Sequence, residues 1–122
     1  MNKVMINLLL VGIGGSLGAM CRFALTEFIH KYIPTNFPSG TFFVNLLGCF
    51  LIGVFVGYYM QNKDGAYFLL IIGFLGSFTT MSAFTIESVN LFNSNFILAA
   101  SYIILTILFT LLATYIGIQI SK

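Results

Sequence analysis

The sequence predicts an all-α membrane protein, a single domain over residues 1–122 made of four transmembrane helices. The 122-residue chain is 59% hydrophobic and 7% charged, against about 25% charged residues in a soluble domain. With a mean hydropathy of +1.04, its five Lys or Arg and three Asp or Glu cannot clothe a water-soluble globule. The charges also punctuate the chain. Uncharged stretches run from Val4 to Cys21, Tyr32 to Asn62, Gly65 to Ile86 and Ser88 to Ser121, and a hydrocarbon layer about 30 Å thick takes about 20 helical residues to cross. Each stretch holds one span.

The first helix is expected from Val4 to Ile29. Its start is similar to a signal-peptide core, but the apolar run is long and three spans follow, so it is expected to belong to the mature protein. Pro34 and Pro38, with Thr35, Asn36 and Ser39, form a loop because proline fixes φ and removes a backbone donor. Helix two is expected from Gly40 to Met60, followed by a polar turn at Gln61 to Gly65. The third span follows, then a second polar turn at Asn90 to Asn95, and the fourth helix ends near Ile120. No linker or repeat interrupts this order.

A net charge of +2 drawn from so few groups cannot assemble a nucleic-acid footprint, so nucleic acid is not a partner. Cys21 and Cys49 sit in apolar runs without clustered Cys or His, and are expected to pack as small core residues. Lys3, Lys63 and Lys122 share one side of the membrane, against Arg22 and Lys31, offset by Glu27, on the other. This weak positive-inside bias allows two insertion directions, and hence an antiparallel dual-topology dimer as well as one orientation with a poor signal.

Small residues and hydroxyls mark where these helices do more than span. Gly14/Gly18 and Gly53/Gly57 have the small-xxx-small spacing of close helix contact. In the third span, Gly73 to Phe84 holds two glycines and the hydroxyls of Ser77, Thr79, Thr80 and Ser82. Glycine is a poor helix former and hydroxyls compete for backbone partners, so the third helix is expected to be broken here. Non-helical backbone at that depth survives only when buried or lining a cavity. Its carbonyls then suit a small hard cation such as Na⁺; a kink satisfied by the hydroxyls is the other outcome. Tyr102, Thr106, Thr110 and Thr114 recur every four residues as a polar stripe on helix four. Such hydroxyls either donate to a dehydrating anion or bond back to their own helix. Asn45 brings two N–H donors that are costly to leave unpaired in hydrocarbon. Phe84 brings an electropositive ring edge that can replace part of an anion's water shell. His30, the sole imidazole, is expected to be an exposed residue at a helix end.

Three blocks resemble the signatures of the Fluc/CrcB fluoride channels. They are Gly14-Gly15-Ser16-Leu17-Gly18-Ala19-Met20-Cys21-Arg22, Gly40-Thr41-Phe42-Phe43-Val44-Asn45-Leu46-Leu47-Gly48, and Gly73-Phe74-Leu75-Gly76-Ser77-Phe78-Thr79-Thr80-Met81-Ser82-Ala83-Phe84-Thr85-Ile86-Glu87. They occur in the family's order, and Tyr102, Thr106 and Thr110 extend the likeness over nearly the whole chain. The resemblance implies an antiparallel dual-topology dimer in a bacterial plasma membrane, with two fluoride pores and a structural Na⁺ at the interface. The carbonyls of Gly76 and Thr79 from both copies would hold that ion. Asn45, Ser82 and Phe84 would line the pore, Tyr102, Thr106 and Thr110 its polar track, and Arg22 the mouth of the vestibule, with Glu87 as Arg22's partner or a helix-end anchor.

The implied activity is passive export of F⁻, which relieves fluoride toxicity without enzyme chemistry. Met81 stands where the family usually has Phe, and Ser77 where a second Gly is common. Met81 keeps bulk but loses a ring edge, which opens two assemblies: a homodimer, or a heterodimer completed by a sister subunit. A proton-coupled small multidrug exporter is the competing class, but it needs a deep carboxylate, and Glu27 and Glu87 lie near the predicted span ends while Asp64 lies in a turn. A scaffolding subunit without transport activity is another.

Overall fold

Asn2 opens the first helix by accepting a hydrogen bond from the Met5 N–H at 2.8 Å, which satisfies one of the donors every helix start leaves free. The computed structural model describes residues 1–59 and 62–122. Helix α1 runs Lys3–Tyr32, three residues past its expected end, and stops at Ile33, whose backbone leaves the helical region just before Pro34. In the loop, the Thr35 hydroxyl donates to the Phe37 carbonyl at 2.9 Å. Pro38 then accepts from the Phe42 N–H at 3.1 Å, so its own missing donor is not needed. Helix α2 is Ser39–Tyr59. The expected helix end at Met60 and the turn position Gln61 lie outside the described residues.

Asp64 accepts from the Tyr67 N–H at 3.2 Å and starts the next apolar stretch. Residues Tyr67–Leu75 are wound as a π-helix, a form rare at this length, and a single turn, α3 (Gly76–Phe78), follows. Thr79 (φ −79°, ψ 155°) and Thr80 (φ −145°, ψ 115°) are extended. Helix α4 covers Met81–Ser94 and α5 Phe96–Ser121. The polar run Asn90 to Asn95, expected to be a turn, is helical as far as Ser94. The Ser94 side chain bonds its own helix, its hydroxyl reaching the Asn90 carbonyl at 3.3 Å. Only Asn95 leaves the helical region; its N–H closes α4 on the Leu91 carbonyl at 2.6 Å, and its side chain caps α5 through the Leu98 N–H at 3.1 Å.

Among the described residues, four stretches are long and apolar enough to cross a membrane: Lys3–Tyr32, Ser39–Tyr59, Tyr67–Ser94 and Phe96–Ser121. Their outward faces carry large apolar side chains such as Leu17, Phe23, Leu111 and Tyr115, the pattern of a surface solvated by lipid. The fully buried side chains are few, Tyr102, Leu75 and Val44 being the largest. Helix α1 lies along the π-wound segment, and α2 along α5. Both seams need glycine. A Cβ on Gly14 would overlap the Leu69 carbonyl, one on Gly18 the Phe74 carbonyl, and one on Gly53 the Thr114 carbonyl. The small-xxx-small spacing therefore serves contacts within this chain.

Candidate functional site

The two extended residues between α3 and α4 free backbone groups that a continuous helix would use. Two side chains from distant positions, Asn45 and Arg22, take up several of them. The Asn45 amide grips Thr80 from both ends: its oxygen accepts from the Thr80 N–H at 2.7 Å, and its nitrogen donates to the Thr80 carbonyl at 3.0 Å. Arg22 Nε donates to the Ser77 carbonyl at 3.0 Å, a cation at the end of a helical turn whose carbonyl has lost its partner. The Thr80 hydroxyl caps α4 by accepting from the Ala83 N–H at 3.1 Å, and lies 3.2 Å from the Ser82 hydroxyl. Thr79 turns its own hydroxyl and N–H back onto the Leu75 carbonyl, at 3.1 and 3.2 Å. Among the described residues, the carbonyls of Gly76 and Thr79 accept no hydrogen bond. Gly48 lets α2 come this close, since a Cβ there would overlap the Thr79 methyl group.

Beside this stretch lies a cavity of about 220 Å³ lined by Asn45 and Cys49 of α2, Thr79 to Met81 and Phe84, and Thr106, Ile107 and Thr110 of α5. Five of the residues singled out as pore-lining from the sequence thus meet in one space: Asn45, Met81, Phe84, Thr106 and Thr110. Ser82 is exposed and outside it. Met81 reaches the cavity rim but is 71% exposed. Cys49 was expected to be core and instead lines the cavity, because it falls one helical turn after Asn45 on the same face of α2. Cys21, also expected to be core, is exposed on α1.

The α5 stripe is not uniform. Thr110 bonds back to the Thr106 carbonyl at 2.6 Å, and Thr114 crosses to the Cys49 carbonyl at 3.0 Å. Tyr102, wholly buried and packed on the Phe84 ring with centroids 5.2 Å apart, donates a hydrogen bond from its hydroxyl to Glu87 at 2.9 Å. Within this stripe Thr106 has a buried hydroxyl without a partner among the described residues, and it lines the cavity; the other such hydroxyl, on Ser39, lies outside it. An unpaired buried donor costs about 1–3 kcal/mol, so this position favours a guest that accepts hydrogen bonds. The lining beside it is mostly carbon, as is usual for small-ligand sites.

Glu87 is the residue whose surroundings the sequence hid. Its carboxylate accepts from the Thr41 hydroxyl at 2.7 Å through one oxygen and from Tyr102 through the other, tying α2, α4 and α5 together. Arg22, the partner considered for it, is bonded to Ser77 instead. The donors lie 46 and 15 residues away from Glu87 in sequence, beyond the reach of any periodicity. Among the described residues no cluster of His, Cys, Asp or Glu could hold a metal ion; the free oxygens here are backbone carbonyls.

Compared with known proteins, residues 9–118 match the family model described as CrcB-like protein, Camphor Resistance (CrcB). A relative from Flavobacterium psychrophilum, named fluoride-specific ion channel FluC, is 45% identical over 116 residues, covering 92% of this chain and 94% of its own. One from Listeria innocua, fluoride-specific ion channel FluC 1, is 42% identical over 96% of this chain and 98% of its own. A FluC from Francisella tularensis subsp. mediasiatica is 41% identical, covering 93% and 92%.

Proposed function

The chain belongs to the CrcB family and is a multi-pass membrane protein of bacteria, not an enzyme; from that premise we propose that it is a fluoride-selective channel letting F⁻ leave the cytoplasm passively. The observation that carries this is the Thr106 hydroxyl, a buried donor without a partner that lines a cavity beside the Phe84 ring and the Asn45 amide. Fluoride is a small, strongly hydrated anion, and one that sheds water needs donors held at short range. Thr106 Oγ1–H and the Asn45 N–H not spent on Thr80 are such donors, and a phenyl edge adds weak positive potential. No proton acceptor or nucleophile is required. HF enters acid-stressed cells unaided and dissociates in the more alkaline cytoplasm. A negative-inside potential, worth about 2.3 kcal/mol per charge per 100 mV, then drives the trapped anion outward.

Two copies in opposite orientations complete the channel in this reading, paired through the exposed polar face of Gly76, Ser82 and Thr85. A structural Na⁺ fits the same face. The Gly76 and Thr79 carbonyls are hard oxygen donors not engaged elsewhere, which suits a small hard cation. Bound there, the ion would neutralise converging carbonyl dipoles; Asn45 and Arg22 hold the adjoining backbone in place without it. Thioether Met81 in place of a ring favours a second assembly, a heterodimer whose sister subunit supplies the missing aromatic edge.

Fluoride efflux from liposomes carrying the protein purified alone tests the proposal. Rapid fluoride release, with chloride retained and no dependence on a proton gradient, is the expected result. Retention of fluoride would overturn the homodimeric channel, and release only after addition of a sister subunit would establish the heterodimer. Release that stops when the proton gradient is collapsed would identify a coupled exporter.

A further inference from the structure

Cys49 has no task in the function just proposed, yet it lines the cavity opposite Thr106 and Thr110. It stands one helical turn beyond Asn45, so the two side chains form a short stripe on α2 that faces the hydroxyl stripe of α5. One turn further along, the helices close. Gly53 meets the Thr114 carbonyl and Gly117 the Phe50 carbonyl so tightly that a Cβ on either would overlap the opposing backbone. Cys49 is therefore the last α2 side chain lining this cavity before the seam shuts. The Thr114 hydroxyl, bonded to the Cys49 carbonyl at 3.0 Å, pins α5 to α2 at that level. Independently of the cysteine, the unpartnered Thr106 hydroxyl, on a residue only 6% exposed, marks this cavity as a place for a polar guest.

We infer that the Cys49 thiol forms part of the wall of the anion path, and that filling the space above it closes that path. This rests on the fluoride-channel reading. A thiol is larger and a weaker donor than the threonine hydroxyls opposite, so it narrows the cavity without holding the anion firmly. It is also a handle those hydroxyls lack, because a thiolate attacks soft sulfur electrophiles.

The test uses the full-length Cys21→Ser protein in fluoride-loaded liposomes. Cys21 is exposed on α1 and borders no part of the cavity, so the substitution leaves Cys49 as the one thiol. Methyl methanethiosulfonate is the probe. The Cys49 sulfur attacks its sulfenyl sulfur, a new S–S bond forms, the S–SO₂ bond breaks, methanesulfinate departs and the thiol proton passes to water. The expected result is fluoride efflux slowed by about tenfold or more, since conduction follows the narrowest section of a pore. Mass spectrometry should find one methylthio group on Cys49, added more slowly when fluoride is present. The rate in Cys21→Ser/Cys49→Ser protein, whatever its starting value, should not respond to the probe.

Full modification of Cys49 with unchanged efflux would overturn the inference. So would a conducting protein whose Cys49 stays unmodified, or modification at a rate indifferent to fluoride. Absence of fluoride release before any probe is added would sink the channel reading itself, and this inference with it.

Discussion

Where α1 meets the π-wound segment, backbone rests on backbone: Gly14 and Gly18 lie against the carbonyls of Leu69 and Phe74, and Gly73 returns the contact to α1. Where α2 meets α4 and α5, backbone touches backbone only past Cys49, at Gly53 and Gly117, and nearer the broken stretch side chains do the joining, through Asn45 on Thr80, Glu87 between Thr41 and Tyr102, and Thr114 on the Cys49 carbonyl. The first seam leaves no room and holds by dispersion contacts, the main attraction available between helices in lipid. The second spends polar groups, and beside them keeps a cavity of about 220 Å³. The difference teaches that one half of the bundle is a brace and the other a site. A site can retain an unpaired donor such as Thr106 because the brace holds the fold.

The largest effect should come from breaking the brace. Gly18→Ala pushes a methyl group into the Phe74 carbonyl, and overpacking of this kind costs about 1–3 kcal/mol, toward the upper end where backbone must move. Thermal unfolding in detergent should show a clear loss. The same substitution at Gly12, where nothing lies within 4 Å, should be neutral or raise stability by up to about 1 kcal/mol. Equal outcomes at the two positions would mean that the close approach of α1 to the π-wound segment does not brace the fold.

Next is Asn45→Ala, which leaves the N–H and carbonyl of Thr80 without partners at a cost of about 1–3 kcal/mol. Unfolding temperature and fluoride efflux should fall together, whereas a loss of efflux alone would assign the amide to the guest rather than to the backbone. Glu87→Gln keeps one acceptor oxygen for two hydroxyl donors, so it should cost roughly 1 kcal/mol, read from the same unfolding curves. The smallest change in stability is expected for Thr106→Val, which removes a hydroxyl that bonds nothing; its melting temperature should stay or rise slightly while fluoride efflux drops several-fold. A matching loss of stability would mean that Thr106 belongs to the brace.

Charge spacing alone was enough to count the spans, because the interval between charges compares directly with the thickness of hydrocarbon. Composition also pointed to Gly73–Phe84, and Thr79 and Thr80 in that stretch have extended backbones. Less accessible were the partners. Nothing local says that Asn45 holds Thr80 or that Thr41 reaches Glu87, since both depend on how the helices are placed in space. The α5 stripe was visible as a period of four, but its division into three committed hydroxyls and one free hydroxyl was not. The Asn90–Asn95 run misled because a single residue, Asn95, is enough to end one helix and cap the next, while Ser94 bonds its own helix.

The pairing of helices has a consequence for how the chain assembles. Neither of the first two helices finds its main partner in the other: α1 lies along the third apolar stretch and α2 along the last. During synthesis the early spans therefore wait in the bilayer, their glycine faces uncovered, until later spans emerge to meet them. A chain stopped before Phe96 would leave α2 without its main partner, so the bundle closes only when the final span arrives.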